Sequence, residues 1–376
     1  MKRLLASVAA MFVLTGCSGD PAVEAEREQK VLGVIGAFTG EGAEIANGIL
    51  RGVQIAVDDY NRDPDATFEV QIRREDTGGT VDGAVKAAQT LAGINLSIGA
   101  VGPFTSTEVA RAGPVFDEAA IPFVIPSAIN EEVGGWRGFR RLIPTDREAG
   151  AASAGSVLAR IKKGKVAVFT ESTEAFELAA NGAKTAFDAA EVNVTRFEAL
   201  IPDTDFGQLA SGVASEAPRA VMFFGSPARA ASLLSALRTA GYKGLFGGYG
   251  FAGDSTFAQS LGEAGDGSVA ATAWADPSAK DLARFQTAHR RRFREPSARF
   301  AAEAHDGATM LMEALEEVEP ERKAITDFLY SARIFRGQSR LYEYNDRGGL
   351  VRPSVWTYSL DNGRWKPGAR SPRAPV

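Results

Sequence analysis

The sequence predicts an α/β protein of two lobes, each a parallel sheet flanked by helices, and three observations carry that expectation. Strand-like apolar runs alternate with helix-periodic stretches along most of the chain, which favours parallel strands joined by crossover helices. About 345 residues lie beyond residue 30, more than one hydrophobic core usually organises. Hydrophobic residues make up 45% of the chain, and glycine and alanine are plentiful, which suits close helix-on-sheet packing.

The elements follow in order. Val31 to Phe38 is strand-like, and after a Gly-rich turn Ile45, Ile49, Val53, Val57 and Tyr60 recur at helical spacing. Phe68, Val70 and Ile72 alternate as a strand, 80–93 reads as helix, 97–102 as strand and 107–119 as helix. Further strands are expected at 122–125, 165–169, 194–200, 220–224 and 244–248, with helical stretches between most of them. The last third changes character: helices near 279–293, 298–318 and 321–332 precede strand-like stretches at 339–345 and 353–360, each closed by a Gly-containing turn.

The N-terminus sets the compartment. Lys2 and Arg3 precede an apolar run of about eleven residues from Leu4 to Leu14, well short of the roughly 20 a spanning helix needs. Leu14-Thr15-Gly16-Cys17 closes it and resembles the bacterial lipobox, whose cysteine is lipidated after cleavage. The expectation is a signal peptide over 1–16, lipidation at Cys17, and a polar tether over 17–30 holding the protein to a bacterial membrane on its extracytoplasmic, periplasmic side. Cys17 is the single cysteine, so no disulfide can form within the chain. The folded part is expected to begin near Val31, and 366–376 reads as a tail.

Charge and motif content exclude several classes. A formal charge of −5 argues against a nucleic-acid partner, and the basic run from His289 to Arg294 reads as the solvated face of a helix. Only His289 and His305 are present, neither pairs with a nucleophile motif, and no metal-ligand spacing occurs, so neither an enzyme nor a cofactor is expected. Gly248-Tyr-Gly-Phe-Ala-Gly253 formally fits a dinucleotide fingerprint but lacks the surrounding βαβ unit, and it reads as a flexible loop at a strand end.

Ordered segments along the chain then point to one family. Val34-Ile-Gly-Ala-Phe-Thr-Gly40, Gly52-Val-Gln-Ile-Ala-Val-Asp-Asp-Tyr-Asn61, Gly99-Ala-Val-Gly-Pro-Phe-Thr-Ser106, Ile121-Pro-Phe-Val-Ile-Pro-Ser127 and Phe139-Arg-Arg-Leu-Ile-Pro-Thr-Asp146 resemble the branched-chain amino acid binding proteins of ABC importers. Phe293-Arg-Glu-Pro296 leading to Ala304-His-Asp-Gly307 continues the resemblance, which spans roughly 31–365. It implies a type I periplasmic-binding fold: two Rossmann-like lobes joined by three hinge crossings, the first from 31–144 plus 275–350, the second from 145–274 plus 351–365. It also implies a monomer that closes on a small molecule and presents the closed form to the importer's permease subunits.

Candidate ligand-binding residues follow from the strand ends, where such sheets hold their ligands. Ser106 and Thr107 open a helix after the strand ending near Gly102, so free N–H groups and a hydroxyl suit a carboxylate, although Ser106 equally suits a helix cap. By resemblance Ser106 receives the ligand carboxylate and Ser127 offers backbone groups; Ser127 also suits a simple turn cap. Ile129 stands where the family has threonine, Gly250 where it has an acid for the ligand ammonium, and Ile45 and Ser226 where it has aromatics. With Phe104, Phe176, Tyr249 and Phe251 these residues suggest an apolar lining, each also a plausible core residue. Glu171, Glu174 or Asp306 would have to replace the missing acid. The expected ligand is an amino acid, an amide or a small carboxylate with an apolar body. The competing expectations are a lipoprotein that docks a partner, similar to cell-wall synthase activators, and a ligand sensor.

Overall fold

The computed structural model describes residues 27–128 and 130–368. Cys17, its leader and its tether up to residue 26 lie outside the described residues, as does Ile129.

The first sheet collects β1 (Glu28–Gly36), β2 (Phe68–Asp76), β3 (Ser97–Val101), β4 (Phe123–Ile125) and β5 (Phe139–Arg141) in the order β2-β1-β3-β4-β5. All its pairings are parallel, and β1 lies beside β2 from Glu28 opposite Phe68 to Gly36 opposite Asp76. Parallel neighbours require crossovers, supplied here by α1 (Ala43–Arg62), α2 (Val81–Ala92) and α3 (Ser106–Glu118). The chain then passes to the second lobe, built from α4 (Asp146–Ile161), β6 (Val166–Glu171), α5 (Glu174–Ala189), β7 (Val194–Leu200), α6 (Phe206–Glu216), β8 (Ala220–Phe224), α7 (Pro227–Thr239), β9 (Leu245–Tyr249), α8 (Ser255–Leu261) and β10 (Val269–Thr272). It leaves after β10 through α9 (Ala283–Phe293), α10 (Ala301–Glu317), α11 (Arg322–Ser331) and the hairpin β11 (Ile334–Arg336) and β12 (Leu341–Glu343). It returns for β13 (Trp356–Asp361) and β14 (Arg364–Pro367), and the second sheet runs β14-β13-β10-β9-β8-β6-β7.

Burial explains which element belongs where. Leu32 and Val34 of β1, Ile49 and Val53 of α1 and Ala304, Ala308 and Leu311 of α10 share one core, so α10 packs on the first sheet although it follows the second in sequence. Val166 and Val168 of β6, Phe224 of β8 and Ala179, Ala180 and Phe187 of α5 fill one side of the second sheet, while Phe169, Phe223 and Phe246 fill the other.

Several expectations need correction. The fold begins ahead of Val31: Arg27 donates to Asn61 O at 3.1 Å, and Lys30, 5% exposed, lies 5.0 Å from the Phe68 ring centre while pairing with Glu28. An aliphatic stem can be buried beneath a satisfied charge, so these polar residues extend the strand rather than the tether. At the other end β14 runs to Pro367, into the expected tail. Gly248 and Tyr249 lie within β9, which leaves only the residues after them as loop. Phe251, expected near the ligand, is fully buried and stacks 4.7 Å from Phe257 in the second lobe's core. In the basic run Arg290, Arg291 and Arg292 are exposed, but His289 is fully buried and held by Glu295 O at 2.9 Å. Burial, with Arg51 nearby, pushes the imidazole down to about 4.

The crossings are fastened by a buried ion pair. Glu303 on α10 and Arg340 before β12 are each 1% exposed and meet at 3.0 Å. Glu303 also accepts from Ala275 N at 2.6 Å, and Arg340 donates to Ala273 O at 2.9 Å and Ser354 O at 3.4 Å. The pair thus ties the segments leaving β10 and entering β13 to the first lobe. Asp306 sets the arginine in place: its carboxylate accepts from Gln338 N, Ser339 N, Ser339 Oγ and Tyr342 OH at 2.6 to 2.9 Å. Removing one partner strands the other charge in the interior. Arg340→Met should therefore cost about 3–5 kcal/mol in urea unfolding, with much of the loss recovered when Glu303→Leu is added. A cost below about 1 kcal/mol would show that the pair does not hold the crossings.

Candidate functional site in the gap between the lobes

One hydrogen bond spans the two lobes at the carboxyl ends of their sheets, and a second lies within the second lobe's side of the gap. Asn130, in the loop after β4, donates to Glu174 Oε1 at 2.9 Å, and Glu174 opens α5 just beyond β6. Tyr249, the last residue of β9, donates to Asp146 Oδ1 at 3.3 Å, and Asp146 is the first residue of α4, just past the first crossing. The gap between them is the switch-point location at which open α/β sheets bind ligands.

On the first-lobe side, the helix start is already capped. Thr105, not Ser106, is the N-cap of α3, and with Glu108 it forms a capping box. That frees Ser106 from capping, and its Oγ accepts from Asn130 N at 3.2 Å. Thr107 is exposed, and the geometry of a helix start leaves the N–H groups of Ser106 and Thr107 without helical acceptors. Glu108, accepting from Thr77 Oγ1 at 2.6 Å and Thr105 Oγ1 at 2.8 Å, offsets part of the positive end of the helix dipole. Ser127 donates its hydroxyl to Phe104 O at 2.8 Å, which locks the loops after β3 and β4 together. Arg141 holds the same region from below through Asn130 O at 2.7 Å and Val133 O at 2.9 Å.

The apolar candidates separate. Phe104 is 8% exposed, its ring lying over Gly36 and edge-on to Phe38 at 6.3 Å, which is a core position. Ile45 packs partly buried against the same core at the start of α1. Phe176 is half-buried on α5, and Tyr249 is 4% exposed with only its hydroxyl committed to Asp146. Phe176 also explains the glycine at 250. Gly250 has φ +103°, and a Cβ there would lie 2.4 Å from Gly225 O and 2.8 Å from the Phe176 ring, so the acid expected by resemblance has no room.

Of the three substitute acids, one is in place. Ser226 gives both its N–H and its hydroxyl to Glu171, at 3.1 and 2.6 Å, and Arg229 stands 3.2 Å away, so Glu171 is spent within the second lobe and Ser226 with it. Asp306 is spent on the hinge. Glu174 alone stands in the gap, exposed and bridged to Asn130.

Sequence reading missed the second acid. Asp146 is 2% exposed, and burial, reinforced by Glu174 and Glu131 against the opposing effects of Tyr249 and Arg141, pushes its carboxyl up to about 7. The Thr145-x-x-Glu148 capping box marked a helix start there, but nothing in the local sequence announced desolvation. Arg299, close enough to act on the Tyr249 phenol, lies 5.2 Å over Trp274, which in turn meets Phe300 edge-on at 5.6 Å. Phe300 touches the cores of both lobes.

The chain matches the family described as periplasmic binding protein across residues 30–363. It belongs to that family. An "amino acid binding protein" of Pseudomonas aeruginosa is 26% identical over 220 residues, 57% of this chain and 59% of that relative, so the match spans less than two thirds of the relative's length. The leucine binding protein LivK of Thermotoga maritima superposes with a TM-score of 0.72 at 23% identity, covering 91% of this chain and 98% of that one. A solute binding protein of an ABC transporter from Rhodopseudomonas palustris, in complex with 3,4-dihydroxybenzoic acid, superposes at 0.71 with 16% identity, covering 92% and 98%. The fold of this periplasmic binding protein is therefore the two-lobed type I form. Among the described residues no helix is long and apolar enough to cross a membrane, and no group of three His, Cys, Asp or Glu could hold a metal ion.

The buried acid gives the periplasmic binding protein a pH signature. In the native state Asp146 keeps its proton up to about 7, whereas an unfolded aspartate loses it near 3.8. Between those values the folded form binds more protons, so stability falls as pH rises. Asp146→Asn removes this dependence: relative to wild type it should gain urea stability at pH 8 and gain little at pH 4. Equal effects at both pH values would contradict the assignment.

Proposed function

We propose that the protein is a lipid-anchored, extracytoplasmic solute-binding protein that closes its two lobes on a small ligand and delivers it to the permease subunits of an ABC importer. The observation that carries this reading is the polarity of the gap. One wall presents helix-start N–H groups and the Ser106 hydroxyl, suited to a carboxylate, and the other presents Glu174 with the Asp146–Tyr249 pair behind it, suited to a cationic nitrogen. Phe176, half-buried beside Gly250, adds an aromatic surface on the second-lobe side. The ligand class that satisfies all three is a small amino acid or related amino compound with an apolar body. The Pseudomonas aeruginosa relative supports that class over an acid without nitrogen.

The Asn130–Glu174 contact spans the lobes, so ligand groups that replace or reinforce it couple binding to closure, which is the shape an importer would read. The lipid anchor follows from Cys17, and the family supports the periplasmic side. Neither a docking regulator nor a sensor gains an observation of its own.

Calorimetry with leucine, phenylalanine, benzoate and short aliphatic amides tests the ligand class. Amino acids should bind more tightly than benzoate, and Glu174→Gln should weaken amino acid binding about tenfold, a loss of about 1.4 kcal/mol, while leaving benzoate unaffected. Preference for benzoate would refute the ammonium assignment, and no binding across the panel would favour the docking reading. Membrane fractionation tests the anchor: Cys17→Ser should move the protein to the soluble fraction.

A further inference from the structure

The two large sheets have four outer edges, and these differ. Among the described residues β2, β5, β7 and β14 each pair on one side only. An open edge presents unpaired N–H and C=O groups to any passing strand, and proteins blunt such edges by shortness, proline or charge. β5 has three residues. β14 has four and ends at Pro367, which has no N–H to donate. β2 exposes Arg73 and Arg74.

β7 is different. It has seven residues, contains no proline, and pairs in regular register with β6 from Arg196 to Leu200. Phe197 within it is 41% exposed, and Ile201 just beyond its end is 63% exposed. Arg196 and Glu198 flank Phe197 and share the opposite face of the strand, where Arg196 reaches Glu216 of α6 at 3.0 Å and Leu200 enters the core.

We propose that β7 pairs antiparallel with β7 of a second copy about a two-fold axis at Phe197, making one sheet continuous through both second lobes. Phe197 is the midpoint of the strand, so this register overlaps all seven residues. It sets Arg196 opposite Glu198 of the second copy, and the reverse, while Phe197 meets its own copy across the axis. Moving the axis one residue either way would set Arg196 against Arg196 or Glu198 against Glu198. The strand's charge order therefore selects a single self-complementary register, and the occupant of this edge is a second copy of the chain rather than an arbitrary strand. The resulting dimer replaces the monomer implied by resemblance. It leaves the ligand gap free, because β7 meets its partner along the sheet edge rather than at the strand ends.

Sedimentation velocity on the full chain in detergent tests this. Wild type should show a concentration-dependent dimer, and R196E, E198R and F197K should each be monomeric with unchanged circular dichroism. A mixture of R196E and E198R should regain the dimer, because every facing pair then carries opposite charges. A wild type that stays monomeric at all concentrations overturns the proposal. So do single reversals that dimerise like wild type, or reversed variants that fail to recombine. R196E also loses its contact with Glu216; if that unfolds it, E198R and F197K against wild type still decide the outcome.

Discussion

The buried Glu303–Arg340 pair is the constraint on which the two-lobed arrangement rests. Two lobes joined by three chain segments have ample freedom to move unless the segments act together. A carboxylate and a guanidinium, both excluded from water, are costly unless each finds partners, and here the partners are the crossing segments themselves. Burial still lifts the Glu303 carboxyl above its usual value despite the arginine beside it, so desolvation outweighs attraction at this site. The arrangement gives specificity of geometry more than net stability. By tying the crossing segments to one another it makes them a common pivot between the lobes.

The gap works against that pivot. Its polar groups are largely paired with one another: Ser106 with Asn130, Asn130 with Glu174, Ser127 with Phe104. Such pairing preorganises the loops, since a group already held in place loses little entropy when a ligand arrives. Asp146 is the exception. Its single long bond from Tyr249 does not offset burial, and Glu174 and Glu131 nearby raise the cost of its charge. A positive charge placed beside it would relieve that cost.

The packing around Gly250 gives a physical reason for the absence of the acid expected there. Gly250 lets Phe176 lie against the end of β9, and the helix carrying Phe176 also carries Glu174. On the second-lobe side of the gap an acid stands at the start of that helix, Glu174, rather than at 250.

The sequence by itself determined the layered α/β architecture, because burial on both faces of a parallel sheet imposes apolar runs such as those of β6 and β8 that no loop would carry. It marked the helix start at Ser106 and the strand end before Ser127, since a helix start and an apolar run are written in local residue types. It did not reveal β5, β10, β11 or β14, each three or four residues long, a length that leaves little pattern in the sequence. Thr105 rather than Ser106 as the cap, Asp146 beneath Tyr249 from 103 positions away, and Glu303 against Arg340 were decided by tertiary structure alone. The reason is physical: hydrogen-bond geometry and desolvation belong to the space between elements, and that space exists only once both lobes have packed.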